Sequence, residues 1–236
     1  MPAYLARPDD DGRPRPAVIV LQEIFGVNTE VKRITDLVAG AGYVGLAINY
    51  YHRTHPDLNE PYTPEGYAAG FKVAGAVTKA GLRQDVAAAI DWLKGRDDVQ
   101  HDHIATWGFC FGGTTAFVTA TLPGLAGAIS FYGTSIAAPM ASGEPEALVD
   151  AAEVRCPLLL VYGGQDPSIP AEGIERTRAA LTAAHKQFEI HVYPDQNHAF
   201  FRNSGAQLTG GANGGPPSDV ADAWERVQAF LRRSFT

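Results

Sequence analysis

Cys110 is the residue in this sequence whose surroundings most suggest chemistry. It stands in the segment WGFCFGGTTAF, residues 107–117, with Gly108 and Gly112 two positions away on either side. This spacing matches the G-x-S-x-G turn, which holds a nucleophilic serine between a strand and a helix. Here cysteine takes the place of the serine. The backbone of that turn is strained and needs small neighbours, which the two glycines supply. The motif alone is a weak signal, so its partners decide the interpretation.

Two further reactive side chains follow apolar runs. Asp166 comes after PLLLVYGGQ, and His198 comes shortly after FEIHVY. A thiol, an imidazole and a carboxylate in contact can act as nucleophile, base and orienting acid. The chain order of nucleophile, acid and histidine is that of the α/β-hydrolases, whereas two other triad folds use different orders. The three residues together therefore predict nucleophilic catalysis.

The two partners of Cys110 also have structural interpretations. Asp166 could cap the helix that begins near Pro170, because aspartate is common where a loop enters a helix. Asp195 is a competing acid, although its place three residues before His198 favours a role in a turn. An isolated histidine such as His198 could also be an ordinary surface residue. These alternatives remain open from the sequence alone.

Apolar runs and amphipathic segments alternate along the chain and must position these residues. The predicted strands are residues 16–22, 43–49, 103–109, 126–132, 157–164 and 188–194. The predicted helices are residues 28–41, with Asn28 as N-cap, 81–95, 111–122, 170–185 and 217–233. This alternation predicts an α/β fold with a mostly parallel sheet, helices on both faces and a site at the carboxyl ends of the strands. Residues 50–66 and 204–217 are predicted to be long loops that could serve as lids, disorder being an equal alternative for the second.

Composition limits the classes of function. The length of 236 residues suits a single domain, residues 1–236. A net charge of −7 argues against a nucleic-acid partner, which would require clustered lysine and arginine. Neither a signal peptide nor a run of about 18 apolar residues is apparent, so we expect a cytoplasmic protein with a small-molecule partner and no membrane association. The oligomeric state is open between a monomer and a small homo-oligomer.

The remaining polar chemistry predicts no metal and no cofactor. No pair of histidines has the spacing and strand context of a zinc site. Cys156 is the second cysteine, and its place at the start of an apolar run favours a small buried side chain. Without a secretion signal, a disulfide between the two cysteines is not expected.

Four motifs together resemble the dienelactone hydrolase family. They are VIVLQEIFGVN (18–28), GFCFGG (108–113), GGQDPSIP (163–170) and NHAFFR (197–202), and the similarity runs from about residue 3 to the last helix. The resemblance implies an α/β-hydrolase fold, a cysteine nucleophile and, as model substrate, a dienelactone formed in the catabolism of chlorinated aromatics. Family members carry an additional strand near the amino terminus, so we expect about seven strands, one edge strand fewer than usual.

The resemblance also assigns roles around the cysteine. It implies that Cys110 is the nucleophile, His198 the base and Asp166 the group that orients the histidine. It further implies that Glu23 contacts the resting thiol and helps to deliver the thiolate when substrate arrives. The backbone N–H groups of Ile24 and Phe111 would form the oxyanion hole.

Substrate binding is the point at which this sequence departs from the family pattern. Arg202 matches an arginine that binds the substrate carboxylate. The second arginine of the family's best-studied members is missing between Arg53 and Arg83, and Tyr67 lies near its place. We therefore expect Tyr67 and Phe71 to contribute to substrate binding, and it stays open whether dienelactone itself is cleaved.

A thiol nucleophile favours activated substrates. Thiolate attacks a carbonyl readily but is also a good leaving group, so the forward reaction needs a second leaving group of comparable stability, such as an enolate. The sequence therefore predicts a hydrolase that cleaves an activated ester or enol lactone through a thioester acyl-enzyme. The alternatives are a broad carboxylesterase or thioesterase and, from another class, a thiol redox sensor or a non-catalytic binding protein.

Overall fold

A seven-stranded sheet forms the centre of the molecule within the residues that the computed structural model describes, which are 1–9, 12–202 and 217–236. The strands are β1 (Ala3–Ala6), β2 (Arg15–Leu21), β3 (Val44–Ile48), β4 (Val99–Phe109), β5 (Gly127–Phe131), β6 (Leu158–Gly163) and β7 (Phe188–Tyr193). Their spatial order is β1-β3-β2-β4-β5-β6-β7. All pairs are parallel except β1 with β3. The predicted α/β fold, with about seven mostly parallel strands, is confirmed.

The six apolar runs become strands β2 to β7 because helices cover both faces of the sheet. Every residue of β3, β5 and β6 is buried, and residues 17–21 of β2 have no exposed surface. Such burial on both faces explains why these strands are continuous apolar runs rather than alternating ones. The carboxyl ends of β2, β4, β5, β6 and β7 consequently meet at one edge of the sheet.

Six α-helices lie in the described residues. They are α1 (Thr29–Gly40), α2 (Pro64–Ala74), α3 (Lys79–Lys94), α4 (Phe111–Thr119), α5 (Ala171–Ala183) and α6 (Pro217–Ser234), and a 3₁₀-helix spans Ala147–Glu153. The N-cap predicted at Asn28 is confirmed, since its Oδ1 accepts hydrogen bonds from the N–H groups of Glu30 and Val31, each at 3.1 Å. Helix α2 and the 3₁₀-helix are elements that the sequence patterns did not predict.

The predicted loop at residues 50–66 is shorter than expected. It ends at Thr63, whose Oγ1 accepts a hydrogen bond from the N–H of Gly66 and so caps α2. Arg53 ties the loop to α3 through two hydrogen bonds to the Asp85 carboxylate, at 2.6 and 2.7 Å. Of the other predicted loop, 204–217, residues 204–216 lie outside the described residues, and Pro217 begins α6.

None of the helices in the described part of the chain combines the length and the apolar character that crossing a bilayer requires.

Candidate active site

Cys110 occupies a sharp turn between β4 and α4. Its φ of 55° and ψ of −115° lie in a region that side-chain-bearing residues rarely adopt. Two hydrogen bonds fix this conformation: the Cys110 N–H donates to the Phe131 carbonyl at 3.0 Å, and the Cys110 carbonyl accepts from the Thr114 N–H at 3.1 Å. A strained residue that its surroundings hold in place is typical of a functional site.

The glycines on either side of Cys110 are required by close backbone contacts. A Cβ at Gly108 would lie 1.9 Å from the carbonyl oxygen of Gly112, and one at Gly112 would lie 2.1 Å from that of Leu21. Both distances are far below van der Waals contact. The predicted need for small neighbours is therefore confirmed, and the first turn of α4 packs directly against the end of β2.

His198 and Asp166 meet at the same edge of the sheet. The Nδ1 of His198 lies 2.6 Å from Oδ2 of Asp166, and the aspartate side chain is buried. The other carboxylate oxygen of Asp166 accepts a hydrogen bond from the Ser168 N–H at 2.8 Å, so Asp166 both stabilises its turn and binds the imidazole. The alternative acid, Asp195, is exposed in the turn before the histidine.

The charge state of His198 depends on its two acidic neighbours. Burial opposes protonation of the imidazole, but the hydrogen bond to Asp166 and the interaction with the Cys110 thiol outweigh it and raise the pKa of His198 to about 10. The thiol thus lies close enough to affect the imidazole. At neutral pH the histidine is a cation, and a cation beside a thiol stabilises its thiolate form.

Glu23 follows β2 and forms an ion pair that the sequence did not predict. Its Oε1 accepts a hydrogen bond from Nη2 of Arg202 at 3.1 Å, and the glutamate is 4% exposed. The role expected of Glu23 towards the resting thiol stays a prediction. Among the described residues Arg202 donates to the Glu23 carboxylate, and its positive charge stabilises this buried group.

Arg202 lies beneath aromatic rings. Its guanidinium carbon is 4.0 Å from the centre of the Tyr62 ring and 5.6 Å from that of Phe25. Burial opposes its charge, but Glu23 more than compensates and raises the pKa of Arg202 above its already high value. Its Nε is buried and has no hydrogen-bond partner in the described part of the chain.

The two backbone groups predicted to form the oxyanion hole have free donors. Phe111 is the first residue of α4 and Ile24 follows β2, and neither N–H donates a hydrogen bond to another described residue. The contact of Gly112 with Leu21 and Gln22 brings these two backbone segments side by side. The positive end of the α4 dipole also favours a developing negative charge here.

Tyr67 and Phe71 lie on α2, the helix that packs against the backbone of Ile24. Their rings stack with centres 6.1 Å apart, and both side chains are about half exposed. Helix α2 crosses the end of β2 so closely that a Cβ at Gly70 would lie 2.4 Å from the carbonyl oxygen of Ile24. The ring that covers Arg202 is instead that of Tyr62, which lies within the predicted loop and for which no sequence pattern indicated a role.

The second cysteine differs from the first. Cys156 is 6% exposed, and burial raises the pKa of its thiol to about 12, so it remains protonated. Its burial agrees with the sequence-based interpretation. Among the described residues, no group of three or more histidine, cysteine, aspartate or glutamate side chains is arranged as metal ligands.

Similarity to known proteins extends over nearly the whole chain. The sequence profile of the dienelactone hydrolase family matches residues 1–235. A "putative carboxymethylenebutenolidase" of Synechocystis sp. is 36% identical over 231 residues, which cover 97% of this chain and 90% of the relative. The protein of the same name from Escherichia coli K12 is 37% identical, with 99% and 82% covered. A crystal structure titled as that of a "putative dienelactone hydrolase" from Klebsiella pneumoniae has a TM-score of 0.85 and 31% identity, and the match covers 98% of this chain and 92% of that one.

Proposed function

The chain belongs to the dienelactone hydrolase family, and from this premise we propose that it cleaves an activated ester or enol lactone through Cys110, His198 and Asp166. The observation that carries the proposal is the contact of 2.6 Å between Nδ1 of His198 and Oδ2 of Asp166, at the sheet edge where the Cys110 thiol also contributes to the raised pKa of the imidazole. Membership in this family supports hydrolase activity, and the geometry supports the assignment of individual roles.

Acylation begins at the sulfur. The imidazolium of His198 stabilises the Cys110 thiolate, which attacks the substrate carbonyl and forms a tetrahedral oxyanion. The unpaired N–H groups of Ile24 and Phe111 donate hydrogen bonds to that oxygen. The intermediate collapses with departure of an enolate or aryl oxide, which takes the proton from His198. A thioester to Cys110 remains.

In deacylation His198 acts first as a base rather than as an acid. The imidazole, now neutral, removes a proton from water as the water oxygen adds to the thioester carbonyl. The second tetrahedral intermediate expels the Cys110 thiolate and releases the carboxylic acid product. Asp166 holds the ring in one orientation and stabilises its cationic form through both steps.

Arg202 is proposed to bind a carboxylate on the substrate. Its side chain is 25% exposed and its bond to Glu23 uses Nη2, so the guanidinium has donor capacity beyond that bond. A substrate carboxylate that takes over this arginine would release Glu23, which could then act on the thiol. Tyr67 and Phe71 are proposed to contact the apolar part of the substrate.

Activity measurements on matched cysteine variants test the proposal. Purified protein is assayed against an enol lactone and a set of aryl esters, with Cys110→Ala as the blank and Cys156→Ala as the matched control. We expect Cys110→Ala to lose at least about 1,000-fold in kcat/KM, while Cys156→Ala retains activity. Equal activity of Cys110→Ala and the parent would refute the assignment.

Two further measurements separate this function from its rivals. Mass spectrometry after rapid quenching should find the acyl group on Cys110, because the thioester is an obligatory intermediate. His198→Ala should lose ester hydrolysis. In a redox sensor the same change would leave the reactivity of the Cys110 thiol with peroxide intact. Higher kcat/KM for simple aryl esters than for the enol lactone would favour a broad carboxylesterase.

A further inference from the structure

Tyr50 is a buried residue that no step above uses, and it contacts both backbone segments that carry the oxyanion donors. It lies just after β3 and is 2% exposed. Its hydroxyl donates a hydrogen bond to the carbonyl of Gln22, the residue that follows β2. Its ring packs against that of Phe111, the first residue of α4, with centres 5.8 Å apart. One side chain therefore bridges the end of β2 and the start of α4.

The hydrogen bond to Gln22 acts on the peptide that precedes the Ile24 donor. The Gln22 carbonyl and the Glu23 N–H share one planar peptide, so only φ and ψ of Glu23 separate it from the peptide that carries the Ile24 N–H. The Glu23 side chain is itself held by Arg202 at 3.1 Å. The Gln22 side chain adds no anchor, because neither of its amide atoms has a hydrogen-bond partner in the described part of the chain. The direction of the Ile24 N–H therefore depends on the Tyr50 hydroxyl.

The same hydroxyl acts on the first turn of α4 through Thr115. The Oγ1 of Thr115 donates a hydrogen bond to the Phe111 carbonyl at 3.0 Å, and it also interacts with the hydroxyl of Tyr50. Backbone contact completes the junction, since a Cβ at Gly112 would lie 2.6 Å from the Gln22 carbonyl oxygen. Helix α4 thus packs against the peptide that Tyr50 binds, so a shift of one segment moves the other.

Tyr50 does not exchange protons in this position. Burial raises the pKa of Tyr50 well above its ordinary value, and the charges of Cys110 and Glu23 act in the same direction. The hydroxyl keeps its proton and directs it to the Gln22 carbonyl. Its contribution is therefore to the geometry of the backbone rather than to acid–base chemistry.

We propose that Tyr50 is a positioning residue that holds the N–H groups of Ile24 and Phe111 at the separation that a tetrahedral oxyanion requires. These donors become important only when the carbonyl oxygen carries negative charge, so their placement affects the transition state more than substrate binding. This inference rests on the proposed function and adds to it a residue that acts through the oxyanion hole.

Tyr50→Phe tests the inference because it removes the hydrogen bond and keeps the ring. With 4-nitrophenyl pentanoate as substrate, we expect kcat to fall by about tenfold or more, whereas KM should stay within about twofold of the parent. Acylation and deacylation both pass through an oxyanion, so kcat reports on the donors whichever step is slower. A merely structural role would lower the urea concentration at which the protein unfolds, without this separation of kcat from KM.

Two reagents separate the oxyanion donors from the thiolate. When the Cys110 sulfur adds to 1,1,1-trifluorohexan-2-one, a carbon–sulfur bond forms and the carbonyl π electrons move to oxygen, so the adduct needs the donors. Methyl methanethiosulfonate transfers its methylthio group to the sulfur and releases methanesulfinate, and no carbonyl takes part. Tyr50→Phe should bind the ketone about tenfold more weakly than the parent, but the thiosulfonate should inactivate both proteins at the same rate.

Tyr162→Phe is the matched control. Tyr162 is a similarly buried tyrosine in β6, and its hydroxyl interacts with Thr177 of α5. This variant should keep the parent's kcat and its affinity for the ketone. Thr115→Val keeps the test decisive if Tyr50→Phe does not fold, because it removes the hydroxyl that binds the Phe111 carbonyl. It should lose kcat and ketone affinity while reacting normally with the thiosulfonate.

Three results would overturn the inference. They are a kcat of Tyr50→Phe equal to that of the parent, an unchanged affinity of Tyr50→Phe for the ketone, and a reaction with the thiosulfonate that slows as much as ester hydrolysis does. The proposed function fails separately if Cys110→Ala hydrolyses 4-nitrophenyl pentanoate as fast as the parent.

Discussion

The charge on His198 is set by side chains that belong to different strands. Asp166 follows β6, Cys110 follows β4, and His198 itself follows β7, so the pair of interactions that raises its pKa exists only when the sheet is complete. The order of these residues along the chain could be recognised from sequence because each follows an apolar strand. Their separation could not, because no local pattern encodes a distance between strands.

Asp166→Asn should move the pH dependence of the reaction. The folded pKa of His198 is raised, so its cation is lost only as pH rises through about 10 in the parent. The neutral amide removes a negative charge beside the ring and lowers this pKa, so the high-pH limb of kcat/KM should shift to lower pH. Activity at neutral pH should also fall by at least about 100-fold. Both effects are measured from the pH dependence of kcat/KM, recorded from neutral pH to a pH above the limb.

Asp195→Asn is the control for that experiment, because Asp195 is exposed in the turn before the histidine. Its profile should coincide with that of the parent. Identical limbs in the parent and Asp166→Asn would show that the carboxylate of Asp166 does not govern the histidine. The limb reports the imidazole of His198 together with the groups that raise its pKa, Asp166 and Cys110.

The ion pair between Glu23 and Arg202 could not be predicted from local sequence, since 179 positions separate its members. Arg202→Gln would leave the Glu23 carboxylate buried without a counter-ion, and we expect a loss of about 3 kcal/mol in the free energy of unfolding. The double variant Glu23→Gln/Arg202→Gln should recover part of the loss because two amides can pair. Urea titration measures these differences.

Arg233 provides the comparison for this stability measurement. It pairs with Glu189 at the surface, where both side chains are more than 40% exposed. Arg233→Gln should cost less than about 1 kcal/mol. If Arg202→Gln lowers the free energy of unfolding by no more than Arg233→Gln does, the buried carboxylate of Glu23 does not need Arg202 as its counter-ion.

At the scale of elements, the strands were predicted more completely than the helices. Helix α2 was missed because Gly66 and Gly70 weaken its helical pattern. Both glycines are required by close contacts, since a Cβ would lie 2.1 Å from the Pro61 carbonyl oxygen and 2.4 Å from that of Ile24, respectively. The available signal was Thr63 followed by Pro64, which is a typical N-cap and first helical residue. The edge strand β1 is only four residues long, so it has no apolar run like those that predicted the other strands.

Among the segments at this edge of the sheet, the junction of β4 and α4 should tolerate substitution least. Gly112→Ala would place a methyl group 2.1 Å from the Leu21 carbonyl oxygen, so α4 must move away from β2. We expect a loss of about 2 kcal/mol or more in stability and a collapse of activity, because Phe111 would move with the helix. Denaturant titration and kcat/KM are measured on the same preparation.

Gly40→Ala is the matched glycine substitution. Gly40 is the last residue of α1, and a Cβ there meets no atom within 4 Å. This variant should be as stable as the parent or up to about 1 kcal/mol more stable, since alanine is the better helix former. A Gly112→Ala protein with the stability and activity of Gly40→Ala would contradict the packing argument.

At the scale of the whole molecule, the net charge of −7 opposes the approach of the anionic substrates that Arg202 would bind. The two effects have different ranges. Repulsion by the surface extends over a Debye length of roughly 30 Å at 0.01 M salt and about 8 Å at 0.15 M. Arg202 acts at contact and its side chain is 25% exposed, so salt screens it less.

Raising the salt concentration between those limits should therefore increase kcat/KM for the mono-4-nitrophenyl ester of glutaric acid severalfold. 4-Nitrophenyl pentanoate, an ester of similar length, carries no charge, so its kcat/KM should stay nearly constant and serves as the internal control. A decrease for the glutarate ester would show that positive charge near the site dominates the field that a substrate meets. In that case attraction by Arg202 would reach well beyond the site, and the acidic surface would have little influence on which substrates arrive.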